Sequence, residues 1–176
     1  YASNTGPDGI GTFDLMCWYG SHQNPVPPNP LFRSNVGWGK TIDITGYNGP
    51  NIDTANSRTC FKYVNVNDTN EFFLLENRMK TGRSASLTDQ GLSIWHIDRN
   101  GDNQTLHHEA WLVHANNNYA NQSGACFKAV VKPVFGATTT PNSNFYNGDP
   151  SGLLAWNIGS PTSALHYTLG LSQAGP

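Results

Sequence analysis

Two continuous apolar runs stand out in the pattern of hydrophobic and polar positions, at residues 72–75 (FFLL) and 92–97 (LSIWHI). Runs this continuous are typical of strands that are buried on both faces. We therefore predict two central strands of a sheet that is covered on both sides. Both runs end in polar residues that could do chemistry, namely Glu76, Asn77 and Arg78 in the first and His96 and Asp98 in the second.

Shorter patterned segments predict further strands around this pair. Their spacing, without a helical period between them, predicts a mainly β fold. We expect an antiparallel sandwich-like or barrel-like sheet with long loops and at most one or two short helices. A short helix is expected after Asn29-Pro30, and residues 46–57 are expected to form an exposed loop. The additional strands are predicted at residues 41–45, 60–66, 110–115, 127–134, 153–158 and 164–171.

Composition narrows the possible partners. Charged residues make up 12% of the sequence and the formal net charge is -2, so no basic field would attract nucleic acid. No apolar stretch approaches the ~20 residues that a membrane-spanning helix needs. The sequence begins at Tyr1 and not at Met, which leads us to expect a processed piece of a longer polypeptide.

The three cysteines allow one disulfide at most. Cys60 and Cys126 each begin an apolar strand-like segment, so a bridge between them suits a secreted protein. Two buried thiols are the equally weighted alternative. Cys17 would then keep its thiol or pair with another segment. Three asparagines stand in N-x-S/T contexts that a suitable source could glycosylate, namely Asn67, Asn103 and Asn121.

The histidines do not form a recognisable zinc motif. His108-Glu109 followed by His114 resembles HExxH, but that motif needs its second His four residues after the first, and residue 112 is Leu. In a strand, the two histidines would be about 20 Å apart at ~3.3 Å per residue, too far to share one zinc ion. We therefore do not expect a zinc site within this sequence.

An acidic loop follows the second apolar run and could bind calcium. Oxygen-bearing side chains recur at alternate positions in DRNGDNQTLHHE, as in calcium loops. The glycine that a helix-flanked calcium loop needs is displaced, so a looser site between strands is the remaining form. A polar turn without a metal is the simpler reading. The candidate ligands are Asp98, Asn100, Asp102 and Glu109, with Gln104 between them.

Other chemistries find less support. The sequence has no G-x-S-x-G elbow for a serine nucleophile. Glu76 is expected to pair with Arg78 at a strand end and not to act as an acid. The Trp and Tyr residues could form a sugar-binding platform, but most Trp residues stand in apolar runs and are expected in the core.

Five stretches in order along the chain carry a resemblance to a known family. They are residues 9–20 (GIGTFDLMCWYG), 37–45 (GWGKTIDIT), 70–82 (NEFFLLENRMKTG), 91–98 (GLSIWHID) and 141–158 (PNSNFYNGDPSGLLAWNI). Together they resemble the secreted zinc metallopeptidases of the immune inhibitor A type. The ordered series is more specific than any one of its motifs.

The resemblance implies a role for the FDLM stretch. In that family it follows the HExxH helix and forms a methionine turn beneath the zinc ion, so Met16 would be the turn methionine, flanked by Asp14 and Leu15. Residues 1–45 would then resemble the end of a catalytic core, and residues 46–176 would form the β-rich portion that packs with it as one unit. The family also commonly binds calcium.

The sequence lacks the HExxH motif that supplies zinc ligands and a general base in this family. Peptide hydrolysis by zinc needs three protein ligands, an open position for water and a carboxylate base. The expectation is therefore a secreted, extracellular, metallopeptidase-like chain that is inactive alone, with zinc only in the parent protein. Its partner would be the missing N-terminal half, which would dock on an apolar patch at Leu15, Met16 and Trp18.

Two alternatives belong to other classes. The first is a non-catalytic extracellular module that self-assembles with identical copies as a filament or surface-layer subunit, which low charge and exposed strand edges would suit. The second is a carbohydrate-binding module, which would need at least two coplanar aromatic rings in a groove.

Overall fold

A computed structural model describes residues 9–18, 20–102 and 107–170, and within them the protein is mainly β, as the sequence predicts. One short helix, α1 (Pro30–Asn35), precedes the strands. Asn29 caps this helix by accepting a hydrogen bond from the Phe32 N–H at 3.0 Å, in agreement with the predicted cap. The strands are β1 (Lys40–Asp43), β2 (Gly49–Thr54), β3 (Thr59–Val64), β4 (Glu71–Arg78), β5 (Gly91–Asp98), β6 (Ala110–Val113), β7 (Ala155–Trp156) and β8 (Ala164–Leu169).

These strands form two open sheets. The larger sheet has the order β1-β3-β4-β5-β6, and the smaller has the order β2-β8-β7. Neighbouring strands are antiparallel except for β1, which runs parallel to β3 at the edge of the larger sheet. A parallel neighbour needs a crossover connection, and here the intervening chain contributes β2 to the other sheet. β1 precedes residue 46, so the segment before the predicted domain boundary contributes a strand to the β-rich sheet.

The central strands β4 and β5 are buried along their whole length, which confirms the prediction of a sheet covered on both faces. Successive residues of a strand point to opposite faces of the sheet. On one side, Phe73 and Ile94 pack against the smaller sheet, including Leu165. On the other side, Leu74 and Trp95 pack against residues from the first part of the chain, which include Ile10, Phe13, Val26 and Leu31.

β2 lies within the segment that the sequence predicts as an exposed loop, and that prediction is wrong. β2 pairs with β8 along all six of its residues. Its pattern is inverted, because Asp53 is buried while Ile52 is 55% exposed. Asn51 also points inward and donates to the Tyr167 hydroxyl at 2.7 Å. A strand whose inward-facing residues are polar does not show the alternation of apolar and polar residues by which a strand is predicted from the sequence.

Residues 127–134 do not form the predicted strand. Phe127 makes only an isolated bridge to Leu92, after which the chain turns back so that Lys128 faces Lys132. The Lys132 N–H donates to the Lys128 carbonyl at 2.9 Å, which closes a tight turn. Pro133 follows, and it has no N–H that could donate a hydrogen bond to a neighbouring strand. The remaining predicted strands are present with ends shifted by a few residues, and residue 171 lies outside the described residues.

The structure contradicts a disulfide between Cys60 and Cys126, because both are buried free thiols. Cys60 lies on β3, whereas Cys126 contacts β5 through a 3.5 Å approach of its Sγ to the Ser93 Oγ. β4 separates those two strands. Burial raises the pKa of both thiols to about 12.

Among the described residues, no helix has the length and apolar character to cross a bilayer.

Candidate functional site

The FDLM stretch forms a tight turn whose carboxylate points inward. A short 3-10 segment, Gly11–Phe13, leads into Asp14, which is fully buried. Its Oδ1 accepts a hydrogen bond from the Met16 N–H at 2.6 Å, and its Oδ2 accepts one from the Asn29 N–H. Burial raises the pKa of Asp14, and the two hydrogen bonds partly offset this increase. Asp14 therefore fixes the turn to the segment that begins α1.

The same turn directs two apolar side chains outward. Leu15 is 40% exposed and Met16 is 61% exposed. Trp18 differs, because it is half-buried and packs against the core. The outward side chains continue into an apolar cleft of about 470 Å³, which we call the turn cleft. Its other lining residues are Pro28, Phe32, Asn35, Val36, Trp38 and Glu109.

Val36 and Trp38 enlarge the exposed apolar surface, with exposures of 57% and 64%. They stand just after α1, where the Trp38 N–H donates to the Arg33 carbonyl at 2.8 Å. Gly37 between them has φ 74°, a left-handed conformation that glycine adopts without strain. The sequence analysis missed both residues, because apolar residues beside a helix end normally indicate core contacts.

A buried ionic network lies behind the turn. Glu76, at the end of β4, is buried between Arg33 and Arg78. The Arg78 Nε donates to Glu76 at 2.8 Å, which confirms the predicted pair, and the Trp95 Nε1 donates to the same oxygen at 3.2 Å. Burial alone would raise the pKa of Glu76, but the two arginine charges and their hydrogen bonds outweigh it and lower the pKa.

Arg78 also holds the turn segment in place. One of its terminal nitrogens donates to the Phe13 carbonyl at 2.8 Å, and the other donates to the Pro28 carbonyl at 2.9 Å. These two residues flank the turn in space, since Phe13 directly precedes Asp14 and Pro28 directly precedes its partner Asn29. The polar end of β4 is therefore buried behind the exposed turn and holds it in position.

The described residues do not fit a zinc ion. No group of three His, Cys, Asp or Glu side chains within residues 9–18, 20–102 and 107–170 is close enough to hold a metal. Each histidine of the pseudo-motif contacts its own neighbours: the His108 ring stacks on Trp111 at 5.0 Å, and the His114 Nδ1 lies 3.1 Å from the Asn118 carbonyl. Burial lowers the pKa of His114.

The calcium candidates that the structure describes have different surroundings. Asp98 is buried, with its Oδ2 2.7 Å from the His107 Nε2 and its Oδ1 accepting from the Asn100 N–H at 2.8 Å. Asp102 continues the turn through its N–H, which donates to the His107 carbonyl. Glu109 instead lines the turn cleft. Calcium therefore stays a prediction, and Asn103 and Gln104 lie outside the described residues.

A second cluster joins histidines to carboxylates at the other end of β4 and β5. The His96 Nε2 lies 2.8 Å from the Glu71 Oε1, and its ring stacks between Phe73 and Tyr146 at 4.4 and 4.2 Å. His107 covers the other side of Tyr146 at 4.1 Å. Burial opposes ionisation of Glu71, but hydrogen bonds from His96 and Tyr146 outweigh it and lower the pKa of Glu71. The cluster fastens Tyr146 to the sheet.

An open groove of about 640 Å³ beside this cluster is lined by aromatic and amide side chains. Trp111 and Tyr119 both line it, but their ring planes are inclined by 60°. Tyr146 also lines it; its ring stacks on His96 and contacts the tilted ring of His107. Trp111 and Tyr119 are therefore not a coplanar pair of the kind that the carbohydrate-binding alternative needs, and that alternative stays a prediction.

Comparison of the sequence with protein-family models found no match. Comparison with curated proteins likewise found none.

Proposed function

We propose that this chain forms the methionine-turn and β-rich part of a secreted zinc metallopeptidase of the immune inhibitor A type. In this proposal the zinc ligands and the general base come from a segment outside the sequence, and they dock on the turn cleft. The chain alone is inactive. Its contribution is to support and shape the catalytic centre.

The observation that carries the proposal is the exposure of Leu15 and Met16 on a turn that is otherwise rigidly held. Exposed large apolar side chains that cluster, here with Val36 and Trp38, normally mark an interaction surface. A turn without a docking role would gain from polar side chains at these positions. The buried Asp14 and the Arg78 network instead hold the turn with its apolar side chains facing outward.

A covering partner would also change the environment of Glu109. This carboxylate lines the turn cleft, so it would lie at the junction between the two halves. Zinc would supply a polarised water and stabilise the developing oxyanion when bound in the other half. The residues of this chain would exclude water from below that centre and set the position of its floor.

The test begins with the reading frame that encodes this chain. We expect it, or a companion frame, to encode a segment with HExxH, and we expect that segment to copurify with the chain when both are expressed. Met16→Asp should abolish copurification, because it places a charge in the apolar contact. Val130→Asp is the matched control, because Val130 is 92% exposed and lies outside the turn cleft.

Two results would reject the proposal. One is the absence of any HExxH segment in the encoding locus. The other is copurification that Met16→Asp and Val130→Asp affect equally, since the contact would then not involve the turn.

The self-assembly alternative has one specific observation in its favour. β1 and β2 are edge strands, each hydrogen-bonded to one described neighbour, and each presents an exposed isoleucine, Ile42 at 39% and Ile52 at 55%. Exposed edges are templates for pairing between copies. Light scattering on the purified chain distinguishes self-assembly from the peptidase proposal. A defined oligomer that Ile52→Lys dissociates would support self-assembly.

A further inference from the structure

A second groove, of about 840 Å³, adjoins the methionine turn. Leu15 contributes to it as well as to the turn cleft, so the two depressions meet at the turn. We call it the arginine groove. One wall is the proline-rich segment at residues 25–28, Trp38 closes one side, and Arg58 and Arg83 line the rest together with residues of the loops that carry them.

The arginine groove concentrates positive charge in a protein whose formal net charge is -2. Arg33, Arg58 and Arg83 line it, and Arg78 lies directly behind the proline wall, where it donates to the Pro28 carbonyl. Arg99 is the only other arginine in the sequence. No Asp or Glu lines the groove within the described ranges. A local concentration of positive charge attracts a negatively charged ligand.

Buried carboxylates nearby do not cancel this charge. Glu76 is shared between Arg33 and Arg78, so the three groups together stay positive. Burial raises the pKa of Asp53 to about 8, and this side chain is therefore largely neutral at pH 7. Arg58 and Arg83 are exposed, and no hydrogen bond or ion pair engages their guanidinium groups within the part of the chain that the structure describes.

The rest of the lining distinguishes a peptide from a small anion. A free phosphate needs only guanidinium groups, whereas this groove also has the apolar side chains of Leu15, Val26 and Trp38 in its lining. An extended peptide presents side chains of both kinds at alternating positions. Its carboxylates can accept paired hydrogen bonds from arginine, and its apolar side chains can cover the indole.

We propose that the arginine groove binds an extended acidic peptide segment, with Arg58 and Arg83 recognising its carboxylates. On the proposed function, on which this role in substrate choice rests, such a segment would lie beside the methionine turn. The parent peptidase would then prefer substrates with Asp or Glu close to the cleaved bond. Binding itself needs only this chain.

Calorimetric titration of the purified chain tests the groove directly. The probe is a capped peptide with two adjacent glutamates between leucines, compared with the same peptide carrying glutamines. We expect the acidic peptide to bind roughly tenfold more tightly. Arg58→Gln and Arg83→Gln should each weaken its binding roughly three- to tenfold, and the difference between the two peptides should shrink as salt is added.

Lys132→Gln is the matched control, because it removes the same charge at a residue that does not line the groove. Its effect should stay below roughly twofold. Equal binding of both peptides, or an equal effect of Lys132→Gln and Arg83→Gln, would overturn the proposal. Complete displacement by inorganic phosphate at the concentration of the peptide would also overturn it, because the site would then be a simple anion site.

This test separates the groove from the wider proposal. Arg58→Gln and Arg83→Gln leave the turn cleft intact, so copurification with an HExxH-bearing segment should persist in both variants. Failure of peptide binding with persistent copurification rejects the groove alone. Peptide binding without any such segment rejects the peptidase and keeps the groove.

Discussion

The central strand β4 and the FDLM turn are both rich in large apolar residues, yet the fold treats them in opposite ways. In β4, Phe73 is fully buried and Leu74 is 1% exposed. In the turn, Met16 is 61% exposed. The comparison teaches that apolar character along the sequence does not by itself assign a residue to the core.

The difference arises from the backbone partners of each segment. β4 pairs with β5 along its whole length and with β3 at residues 72–75, and each of its faces meets a separate cluster of the core. The turn is instead held by polar contacts on its inner side, which the Asp14 carboxylate and the Arg78 guanidinium group make. Leu15 and Met16 therefore face outward because the inner side is already filled.

The largest expected effect comes from breaking the network that joins the two regions. Glu76→Gln leaves the buried Arg33 and Arg78 without their shared carboxylate. We expect a loss of about 3–5 kcal/mol in the free energy of unfolding, because uncompensated buried charge is costly. Urea unfolding measures it. Asp149→Asn, at an exposed carboxylate, should change the same quantity by less than about 0.5 kcal/mol. Similar values for both variants would mean that the network does not stabilise the fold.

The second prediction compares the two regions directly. Leu74→Ala should lower the free energy of unfolding by about 2–5 kcal/mol, because it leaves a cavity between packed elements. Met16→Ala should lower it by less than about 0.5 kcal/mol, because its side chain is mostly in water. Equal losses in urea unfolding would show that the turn is covered in the isolated chain.

The third prediction concerns Asp53, whose pKa in the folded state is about 8, while its ordinary value is 3.8. The folded state therefore keeps a proton that the unfolded state releases. This contribution to stability is full below pH 4 and is lost as the pH rises from about 4 to about 8. Asp53→Asn removes this pH-dependent contribution. The stability of the variant relative to the wild type should therefore increase as the pH rises.

We expect that gain to reach at least ~2–4 °C in Tm at pH 8, for a difference of ~1 kcal/mol in a chain of this size. Paired thermal melts at pH 4 and pH 8 measure it. Asp43→Asn is the control, because hydrogen bonding to Thr45 lowers the pKa of Asp43, which gives the opposite sign. A difference between variant and wild type that stays constant with pH would contradict the buried, protonated Asp53.

Some of the candidate site follows from residues that are neighbours in the sequence. Glu76 and Arg78 stand two residues apart at the end of a buried strand, which is enough to predict their pairing. Met16 could be identified only through the resemblance of FDLM to a methionine turn. Arg58 and Arg83 carry no local signal, because the groove that they line is assembled from distant loops.

The sequence by itself determined the mainly β fold and the doubly buried pair β4 and β5, since short continuous apolar runs bounded by polar connections are typical of strands buried on both faces. It also determined the cap of α1, which depends on a few adjacent residues. Tertiary structure alone decided that the polar segment at residues 49–54 is a strand, because β8 supplies its hydrogen bonds. It likewise decided that Cys60 and Cys126 stay apart and that Met16 faces outward, because both outcomes depend on which distant strands and side chains fill the space between.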